Sequence, residues 1–427
     1  MEYREALRFL NRHVNLEATA GRIHGLSLDA MRGLVGVMGD PQTDIRTVHI
    51  TGTNGKGSVA AISSALLTAA GLRAGSYTSP HVDTVRERLA ISGEKITEEA
   101  FGDLIGDVSR YVEVAPERPS YFEILSAAAF LWFSNEAVDV AVVEVGLLGR
   151  FDATNVIEAD VSVITNIGFD HTDGAGDWRR AIAGEKAGII GRGRPLVLGE
   201  TTVGLLDVFI DEGPDPLYEE GRDFGARAAR RAVGGQVVDL WSPYGHYDEV
   251  YLSMHGTHQA DNAAMAVTTV EAMLDAPLGA EVVAAAMCDL SVPGRLEVVA
   301  ERPLVVLDGA HNPDALRSLV ASVPEVFPAG RRILVVGALG PRDPGALFDE
   351  LAHLAPDLVL VCTAPSPRAV PADELARSCA ERGLDVEAVP DVAEAVRRAV
   401  ALAGEDDLVL VTGSFYVLSG ARPAAAP

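Results

Sequence analysis

A glycine-rich segment with a single lysine is the strongest chemical signal in the sequence. Residues 51–58 read TGTNGKGS, directly after the short apolar run 48–50 and directly before the helical pattern 59–70. A strand, a glycine-rich turn and a helix N-terminus direct several backbone N–H groups and the helix dipole at one anion. Lys56 can then reach the outer phosphates of a nucleotide, and Ser58 a magnesium ion. The segment therefore predicts a nucleotide site.

Two positions separate this segment from the generic phosphate-binding loop. Gly57 stands between Lys56 and Ser58, and Ile50 occupies the place of the first glycine. An ordinary glycine turn is the alternative interpretation. Only three of the 35 basic residues are lysines, namely Lys56, Lys95 and Lys186. A lysine kept among so many arginines is enriched for tasks that arginine cannot perform, which favours the phosphate interpretation.

Polar side chains follow two further apolar runs. Glu144 ends the run 138–143, and Asp170-His171 comes shortly after the run 161–166. Because the carboxyl ends of parallel strands meet at one edge of a sheet, these groups are expected beside the glycine-rich segment. A carboxylate at that edge suits a magnesium ion bound to the β- and γ-phosphates. A solvated strand cap at Glu144 and a structural histidine at 171 are the alternatives.

Two other segments carry candidate residues. Lys186 lies in the sequence GEKAGI, within an amphipathic helix expected to begin near Asp177, and the small and apolar residues after it suggest burial. An ordinary surface lysine is the alternative. Residues 308–313, DGAHNP, join a strand to a helix, with Asn312 as the expected cap and Pro313 in the first helical position. A plain turn explains the glycine and the proline but does not require the histidine.

Parallel sheets are needed to position these residues, and the sequence predicts two of them. Apolar runs separated by helical patterns form a first series at 47–51, 74–78, 138–145 and 161–165. A second series follows at 304–307, 333–336, 358–361, 386–389 and 408–411, with helices expected at 314–322, 344–354, 371–383 and 392–403. The fold class is therefore α/β: a P-loop-type ATPase domain with a mostly parallel sheet, followed by a smaller Rossmann-like α/β domain.

Proline and glycine in the segment 291–295 mark the boundary between the two series. We accordingly expect one domain over residues 1–294 and a second over 295–427. The stretch 200–256 is assigned only as irregular strands and loops of the first domain, and the tail 421–427 is expected to be disordered.

Composition excludes several classes of protein. A chain of 427 residues exceeds what one hydrophobic core usually supports. The formal charge of -26 disfavours nucleic acid and anionic lipid as partners. Three scattered cysteines do not make a disulfide framework or a zinc site, the first residues lack a leader pattern, and no apolar stretch approaches the roughly 20 residues of a membrane span. We expect a soluble, cytoplasmic protein with no nucleic-acid or membrane partner.

The motifs together resemble those of a known family. They occur in the order seen in the folylpolyglutamate synthase and dihydrofolate synthase family of the Mur ligase superfamily, over the chain from about residue 20 to Ser414. The segments that carry the resemblance are 51–58 (TGTNGKGS), 78–81 (TSPH), 144–146 (EVG), 152–155 (DATN), 170–171 (DH), 185–189 (EKAGI), 258–259 (HQ) with Asn262, 293–297 (PGRLE) and 308–313 (DGAHNP).

The resemblance implies an ATP-dependent ligase that adds L-glutamate to dihydropteroate, to folate or its polyglutamates, or to both, through an acyl phosphate and with release of ADP and phosphate. A relative that joins an amino acid to a different carboxylate is the alternative, and a catalytically silent nucleotide-binding protein is a third hypothesis. The cofactors implied are ATP, Mg²⁺ at two sites, a carbamate on Lys186 and a monovalent cation. The partners implied are small molecules, namely a folate or pteroate acceptor and L-glutamate, and the chain is expected to be a monomer.

The resemblance also assigns roles to individual residues. The catalytic residues implied are Lys56, Lys186, His171 and His311. The nucleotide contacts implied are Asn54, Gly55, Lys56, Gly57, Ser58, Asn262, Arg295 and Asp308, and the metal ligands implied are Ser58, Ser79, Glu144 and His171. The substrate side implied comprises Tyr121, Phe122, Glu123, Phe151, Asp152, Ala153 and Ser414. Divalent cations and fixed positive groups suit this chemistry, because a carboxylate and a γ-phosphate must approach one another.

Two departures from the family pattern fall on the acceptor and glutamate side. Leu148 stands where the family usually has glycine, and a bulky side chain there can narrow or redirect the loop 146–151. The stretch 339–343, LGPRD, has Arg342 but lacks the lysine commonly found in this region. The sequence therefore leaves the identity of the acceptor open.

Overall fold

The computed structural model describes residues 1–15, 27–169, 174 and 176–425. It divides into two compact units. The first consists of Met1–Ala232, Val237–Ser253 and Gln259–Leu290, and the second of Val233–Gln236, Met254–His258 and Ser291–Pro427. The long segment of the second unit thus begins at Ser291, ahead of the position 295 expected from the sequence.

An eight-stranded sheet forms the centre of the first unit, in the order β4-β3-β2-β5-β1-β6-β7-β8. Its strands are β1 (Arg46–Thr51), β2 (Ala74–Tyr77), β3 (Leu89–Ile91), β4 (Glu94–Lys95), β5 (Val140–Glu144), β6 (Val161–Ile164), β7 (Leu196–Leu198) and β8 (Leu217–Glu219). Neighbouring strands pair in parallel along the part of the sheet that runs β2-β5-β1-β6-β7-β8. At the other edge, β3 pairs antiparallel with both β2 and β4. Short apolar strands with helices between them favour this arrangement, because both faces of the sheet are then covered.

The helices of the first unit cover this sheet. They are α1 (Tyr3–Leu10), α2 (Asp29–Val37), α3 (Lys56–Ala69), α4 (Glu98–Val114), α5 (Tyr121–Asn135), α6 (Trp178–Ala187), α7 (Leu206–Ile210), α8 (Thr257–Leu274) and α9 (Ala280–Met287). Phe101 of α4 and Phe130 and Phe133 of α5 are fully buried in one cluster on a single side. In the described part of the chain, no helix combines the length and the apolar character that crossing a bilayer requires.

The region 200–256 is more regular than the sequence indicated. It contains the short elements α7 and β8 and a separate three-stranded sheet in the order β11-β10-β9. The strands are β9 (Gly225–Ala232), β10 (Gly235–Trp241) and β11 (His246–Leu252). The prediction failed here because β9 reads GARAARRA and is largely exposed, so it lacks the apolar alternation that marks a half-buried strand.

A six-stranded sheet forms the centre of the second unit, in the order β12-β13-β17-β14-β15-β16. Its strands are β12 (Glu297–Glu301), β13 (Leu304–Leu307), β14 (Arg332–Val336), β15 (Leu358–Val361), β16 (Val386–Ala388) and β17 (Leu408–Thr412). All pairs are parallel except β12 with β13. The helices are α10 (Pro313–Val326), α11 (Pro344–Leu351), α12 (Ala372–Ala380), α13 (Val392–Leu402) and α14 (Phe415–Ala425). The expected α/β class with two mostly parallel sheets is confirmed.

The expectation of a disordered tail from residue 421 is wrong for its described part. Helix α14 continues to Ala425, and Ala421 and Ala425 are buried. The segment looked unstructured because it is rich in small residues and contains Pro423. Packing of those small residues against the second unit stabilises a helix that local propensity does not predict.

Candidate active site

The glycine-rich segment forms the turn between strand β1 and helix α3. Gly55 is the N-cap of α3 and has φ of 85°, and no side chain of the described residues caps the helix there. A Cβ atom at this position would lie 2.7 Å from Oδ1 of Asn262. Glycine is therefore required both by the backbone conformation and by the close approach of Asn262 from α8. The first N–H groups of α3 have no capping side chain, as an anion site at a helix N-terminus requires.

Residues at the end of strand β6 hold the turn in place. Thr165 Oγ1 donates a hydrogen bond to the carbonyl oxygen of Asn54 at 2.6 Å, and Asn166 Nδ2 donates to the same oxygen at 3.1 Å. In return, Asn54 N donates to Asn166 Oδ1 at 3.0 Å. Sequence reasoning missed both supporting residues, although their place at the end of an apolar run was visible. The turn is thus fixed before any ligand binds.

Two of the three lysines meet at one carbonyl of this turn. Lys56 Nζ donates to the carbonyl oxygen of Gly52 at 3.1 Å, and Lys186 Nζ donates to it at 2.7 Å. Lys186 is only 4% exposed, and its helix α6 begins after the N-cap Asp177, as the sequence predicted. Lys95 lies on the exposed strand β4. The surface-lysine alternative for Lys186 is therefore wrong.

The candidate metal ligands lie around the start of helix α3. Ser58 Oγ is buried and has no hydrogen-bond partner among the described residues. Glu144, at the end of strand β5, is 3% exposed and accepts a hydrogen bond from Ser79 N at 3.1 Å. A Cβ at Gly57 would lie 3.6 Å from Glu144 Oε2, so this carboxylate faces the glycine-rich turn. An unpaired buried hydroxyl beside a carboxylate fits a hard cation that keeps several waters, as Mg²⁺ does.

The fourth candidate ligand, His171, lies outside the described residues together with Asp170. Within the residues that the structure describes, no three histidine, cysteine or acidic side chains converge as a complete metal site. Mg²⁺ is usually bound through only one or two carboxylates, with waters and phosphate oxygens as its other ligands.

Aromatic residues of helix α5 border the same edge of the sheet. A Cβ at Gly146 would lie 2.8 Å from Cε1 of Phe122, so this ring covers the backbone just beyond Glu144. Tyr121 is buried in the core. The Glu123 carboxylate accepts a hydrogen bond from Ser120 N at 2.7 Å and closes the N-terminal capping box of the helix. Of the three residues expected at the acceptor, Phe122 contacts the backbone at Gly146, Tyr121 is part of the core, and Glu123 has a structural partner.

Asp152 is built into the loop that follows strand β5. Its carboxylate accepts hydrogen bonds from Leu147 N at 2.8 Å and from Thr154 N and Oγ1 at 2.9 and 2.6 Å. Burial raises the pKa of Asp152 from its ordinary value, and these hydrogen bonds act in the opposite direction. Phe151 is 41% exposed and Ala153 is buried. The loop therefore presents the phenyl ring to solvent and turns the carboxylate inward.

A buried histidine supports this loop from strand β1. His49 Nε2 lies 2.8 Å from Thr154 Oγ1, and the Thr154 hydroxyl is 2.6 Å from Asp152 Oδ1. Burial lowers the pKa of His49 to about 3, so the ring is neutral. With His49 Nε2 as the donor to Thr154 Oγ1, the threonine hydroxyl donates its own hydrogen bond to the Asp152 carboxylate. Sequence reasoning named Asp152 but missed His49, which sits in the middle of an apolar strand.

Leu148 has a backbone conformation that explains the glycine usual in the family. Its φ is 58°, in the left-handed region that side chains disfavour. The carbonyl oxygen of Leu148 accepts a hydrogen bond from Thr51 Oγ1 at 2.5 Å, which ties this loop to the glycine-rich turn. The leucine side chain packs against the cluster that includes Ile182 and Ala183 of α6. The substitution therefore adds an apolar contact at the expense of backbone strain.

In the second unit, the candidate residues lie around the turn after strand β13. The Asp308 carboxylate accepts hydrogen bonds from Leu296 N at 2.9 Å and from Ala310 N at 2.8 Å. Burial raises the pKa of Asp308, while the nearby charge of Arg295 and these hydrogen bonds lower it. Asn312 caps helix α10 by accepting from Ala315 N at 2.9 Å, as the sequence predicted.

An unpredicted aromatic residue joins two of these candidates. Phe415 lies under the guanidinium of Arg295 at 4.7 Å from the ring centroid, and its ring is 6.2 Å from that of His311. His311 Nδ1 is 2.7 Å from the carbonyl oxygen of Gly309. Ser414, just before Phe415, is buried, and its hydroxyl accepts from Tyr416 N at 3.2 Å. The second unit therefore brings Arg295, His311 and the segment 414–415 together.

His258 is a further residue to which the sequence gave no role. Burial lowers its pKa to about 4, with a smaller contribution from Arg295. Its Nδ1 atom is buried, and it has no hydrogen-bond partner in the part of the second unit that the structure describes. The signal was present in the motif at 258–259, but a buried histidine alone does not identify a ligand contact.

Two parts of the chain match the models of two domain families. Residues 50–270 match the Mur ligase middle domain, and residues 294–415 match the Mur ligase glutamate ligase domain. The class defined by these matches is that of the Mur ligases. A dihydrofolate synthase/folylpolyglutamate synthase of Mycobacterium tuberculosis is 36% identical over an alignment 437 residues long, gaps included. The alignment covers 93% of this chain and 89% of that protein. The chain belongs to the dihydrofolate synthase/folylpolyglutamate synthase family.

Solved structures agree with this assignment. A Mycobacterium tuberculosis folylpolyglutamate synthase complexed with ADP and AMPPCP has a TM-score of 0.91 and 33% identity, with 100% of this chain and 98% of that chain covered. A bifunctional folylpolyglutamate synthase/dihydrofolate synthase with Mn, AMPPNP and L-glutamate bound has a TM-score of 0.85 and 30% identity, with coverage of 99% and 98%. The resemblance inferred from the motifs is confirmed.

Proposed function

We propose that this chain is an ATP-dependent ligase that joins L-glutamate to dihydropteroate, to folates and their polyglutamates, or to both. The observation that carries the proposal is the glycine-rich turn, where Lys56 and Lys186 meet at one carbonyl and Gly55 leaves helix α3 without a side-chain cap. The relatives' names and the nucleotide, manganese and glutamate bound in the solved structures support the same activity.

The residues of the turn are proposed to hold the phosphates. The backbone N–H groups from Gly55 to Ser58 lie at the positive end of α3 and would bind an anion there, while Asn54 N stays bonded to Asn166 Oδ1. Lys56 needs only to release its carbonyl partners at 3.1 and 3.4 Å to reach the outer phosphate. Asn262, Arg295 and Asp308 are proposed as the remaining nucleotide contacts. Asn262 lies against Gly55, which supports its part in this set.

Ser58, Ser79 and Glu144, with His171, are proposed to hold magnesium. A bound Mg²⁺ would neutralise phosphate oxygens, so that a carboxylate can approach the γ-phosphorus. The support is the unpaired Ser58 hydroxyl and the inward-facing Glu144 carboxylate. In the second unit, His311 and Ser414 are proposed to contact the glutamate, whose amine replaces phosphate on the activated acceptor carboxyl.

Lys186 is proposed to carry a carbamate. Its neutral amine would attack the carbon of CO₂, form an N–C bond and release one proton, which gives a carboxylate in place of an ammonium. A carbamate keeps one N–H, so the hydrogen bond to the Gly52 carbonyl at 2.7 Å is compatible with the modified side chain. The alternative is an unmodified ammonium in the same place.

Labelled bicarbonate tests this proposal directly. With ¹³C-bicarbonate we expect a carbamate signal in the carbon spectrum of the full-length protein that is lost in Lys186→Arg and kept in Lys95→Arg, its exposed counterpart. We also expect Lys186→Arg to be nearly inactive, since it cannot form the carbamate. A spectrum without the signal, or substantial activity in the arginine variant, would contradict the carbamate.

The acceptor side is proposed to be lined by Phe122, Phe151, Asp152 and Ala153. The Phe122 ring, which covers the backbone just beyond Glu144, and the exposed Phe151 ring of the following loop suit a flat heteroaromatic group such as a pterin, since rings stack on one another. Leu148 favours the alternative acceptor, because its bulk and its φ of 58° distinguish this loop from the usual glycine. That alternative is a different carboxylate joined to an amino acid by the same chemistry.

The test is the release of ADP with a panel of acceptors, each with and without L-glutamate. We expect release with dihydropteroate or a reduced folate only when glutamate is present. Product mass should increase by one glutamyl residue. Release with an unrelated carboxylate and not with pteroates or folates would establish the alternative, and no release with any acceptor would contradict both.

A further inference from the structure

The last turn of helix α6 is held from outside by one arginine. Lys186 lies one residue before the end of α6 at Ala187, where the Glu185 and Lys186 carbonyls accept long hydrogen bonds of 3.3 Å from Gly188 N and Ile189 N. Arg150 Nη2 donates to the Gly184 carbonyl oxygen at 3.0 Å, and Arg150 N donates to the Glu185 carbonyl oxygen at 2.8 Å. Residue 150 therefore binds the two carbonyls that directly precede Lys186, that of Gly184 through its side chain and that of Glu185 through its main-chain N–H, which Arg150→Ala would retain.

The same loop touches the backbone on both sides of Lys186. A Cβ at Gly149 would lie 3.0 Å from the Cα atom of Lys186, and a Cβ at Gly188 would lie 2.7 Å from the Cα atom of Arg150. Asn155 Nδ2 joins the loop to the residue after α6, because it donates to the Arg150 carbonyl oxygen at 3.0 Å and to the Gly188 carbonyl oxygen at 3.1 Å. With no side chain between the backbones, a shift of the loop must move Lys186.

The chemistry of this contact suits arginine. Arg150 Nη2 has two hydrogen atoms, and it also pairs with Glu212 Oε1 at 2.5 Å, so one nitrogen bridges the end of α6 and the segment after α7. A cation at the C-terminal end of a helix interacts favourably with the helix dipole. The ammonium group of lysine lacks the planar, rigid geometry of the guanidinium, so it would fix the directions of these hydrogen bonds less well.

We propose that Arg150 is a positioning residue that fixes Lys186 against the carbonyl group of Gly52. The inference rests on the role proposed for Lys186. The path is short: Arg150 binds the carbonyls of residues 184 and 185, and the next side chain reaches Gly52 at 2.7 Å. The same loop also reaches the glycine-rich turn through Leu148, whose carbonyl accepts from Thr51 Oγ1. Arg150 thus sets the place of Lys186 through the end of helix α6.

The small number of lysines makes a direct test practicable. Full-length protein labelled with ¹³C at the lysine Cε atoms has three labelled side chains, which Lys95→Arg and Lys186→Arg assign. We expect Arg150→Ala to move the Lys186 signal and to leave that of Lys95 in place. We also expect kcat to fall by about tenfold to a hundredfold, with a smaller change in KM for ATP, because a small misplacement of a reacting group has effects of this size. Arg150→Lys should restore part of both effects.

Arg180 provides the matched control on the same helix. It is similarly exposed, pairs with Asp207 at 2.5 Å and donates to the Gly204 carbonyl at 3.1 Å, but it lies in the first turn of α6. We expect Arg180→Ala to leave the Lys186 signal and turnover unchanged.

Two results would overturn the proposal. One is a Lys186 signal that Arg150→Ala and Arg150→Lys leave in place, and the other is an equal displacement of that signal by Arg180→Ala. Wild-type turnover in Lys186→Ala would instead contradict the role of Lys186, while the spectra would still decide whether Arg150 positions it. If Arg150→Ala does not fold, the Arg150→Lys spectrum alone decides.

Discussion

The two units begin a helix after a parallel strand in two different ways. In the first unit, Gly55 precedes α3, and the described residues supply no side-chain cap. In the second unit, the side chain of Asn312 caps α10 and Pro313 removes one of its N–H groups. A capped helix start has satisfied part of its own hydrogen-bonding need, whereas an uncapped one must find another acceptor. The difference supports the proposal that the phosphates bind at the first helix start and not at the second.

The strongest test of this difference is the loss of Lys56 from the uncapped start. We expect Lys56→Ala to lower turnover at least about a hundredfold, because the positive group aimed at the transferred phosphate is gone. The melting temperature should change little, since among the described residues Lys56 donates hydrogen bonds to the carbonyl groups of Gly52 and Thr53, which belong to its own turn. ADP release and thermal unfolding measure the two quantities.

Lys95 is the matched control for this variant, because it is exposed on strand β4. Lys95→Ala should retain wild-type turnover. Activity near wild type in Lys56→Ala, or an equal loss in Lys95→Ala, would contradict the assignment of the phosphates to this turn.

The first helix start was also the easier one to predict from sequence. The octapeptide at 51–58 is continuous, so its spacing alone placed a strand, a turn and a helix correctly. The contacts that complete it come from distant segments: Lys186 reaches Gly52 across 134 residues, and Asn262 reaches Gly55 from another helix. Spacing along the chain carries no information on such contacts, because they depend on how the helices pack.

Most strands of both sheets were predicted from their apolar runs, whereas β3, β4, β7, β8 and β12 were missed. Apolar β-branched runs such as Leu304–Leu307 and Leu358–Val361 are buried on both faces and end at polar or turn residues, so their bounds agree with the structure. The positive φ of Leu148 could not be predicted from leucine itself, and only the family pattern indicated it. Phe415 was missed because its contacts with Arg295 and His311 exist only once the second unit is folded.

His258, a partly buried histidine at the start of helix α8, provides a pH-dependent test. The pKa of His258 is lowered to about 4, so below its usual value of 6.5 the unfolded chain binds a proton that the folded chain does not. Stability supplied by the neutral ring should therefore be lost as the pH falls from 6.5 towards 4, by up to about 3 kcal/mol. We expect urea unfolding of His258→Gln to depend less on pH across this window than that of the wild type.

Arg295 sharpens the same test, because its charge contributes to lowering the pKa of His258. Arg295→Gln should raise that pKa towards its usual value, and a histidine NMR titration would measure it. Identical pH dependence in the wild type and in His258→Gln would contradict the assignment of this effect to His258.

At the capped start of helix α10 we expect a smaller effect, and on stability instead of turnover. Asn312→Ala removes the acceptor for Ala315 N and should destabilise the second unit by about 1 kcal/mol, the usual cost of losing a helix cap. Asn312→Ser should lose much less, because serine is also a good cap. Denaturant unfolding measures both. If Asn312→Ala reduces the free energy of ATP binding by more than it reduces the free energy of unfolding, the second helix start also serves the nucleotide.

The smallest effect on stability is expected at Leu148, where two contributions oppose each other. Leu148→Gly relieves a left-handed φ of 58°, a gain of about 1 kcal/mol for a residue with a side chain. It also removes a partly buried apolar contact with the cluster near Ile182 and adds backbone entropy to the unfolded chain, each a loss of about 1 kcal/mol. The free energy of unfolding should therefore change by no more than about 1 kcal/mol. The hydrogen bond from Thr51 goes to the main-chain carbonyl of residue 148, so Leu148→Gly leaves this link to the glycine-rich turn in place. The loop continues to Phe151 on the proposed acceptor side. Any larger consequence should therefore appear in KM for the acceptor and not in KM for ATP. A change confined to ATP would mean that this residue acts on the glycine-rich turn and does not shape the acceptor side.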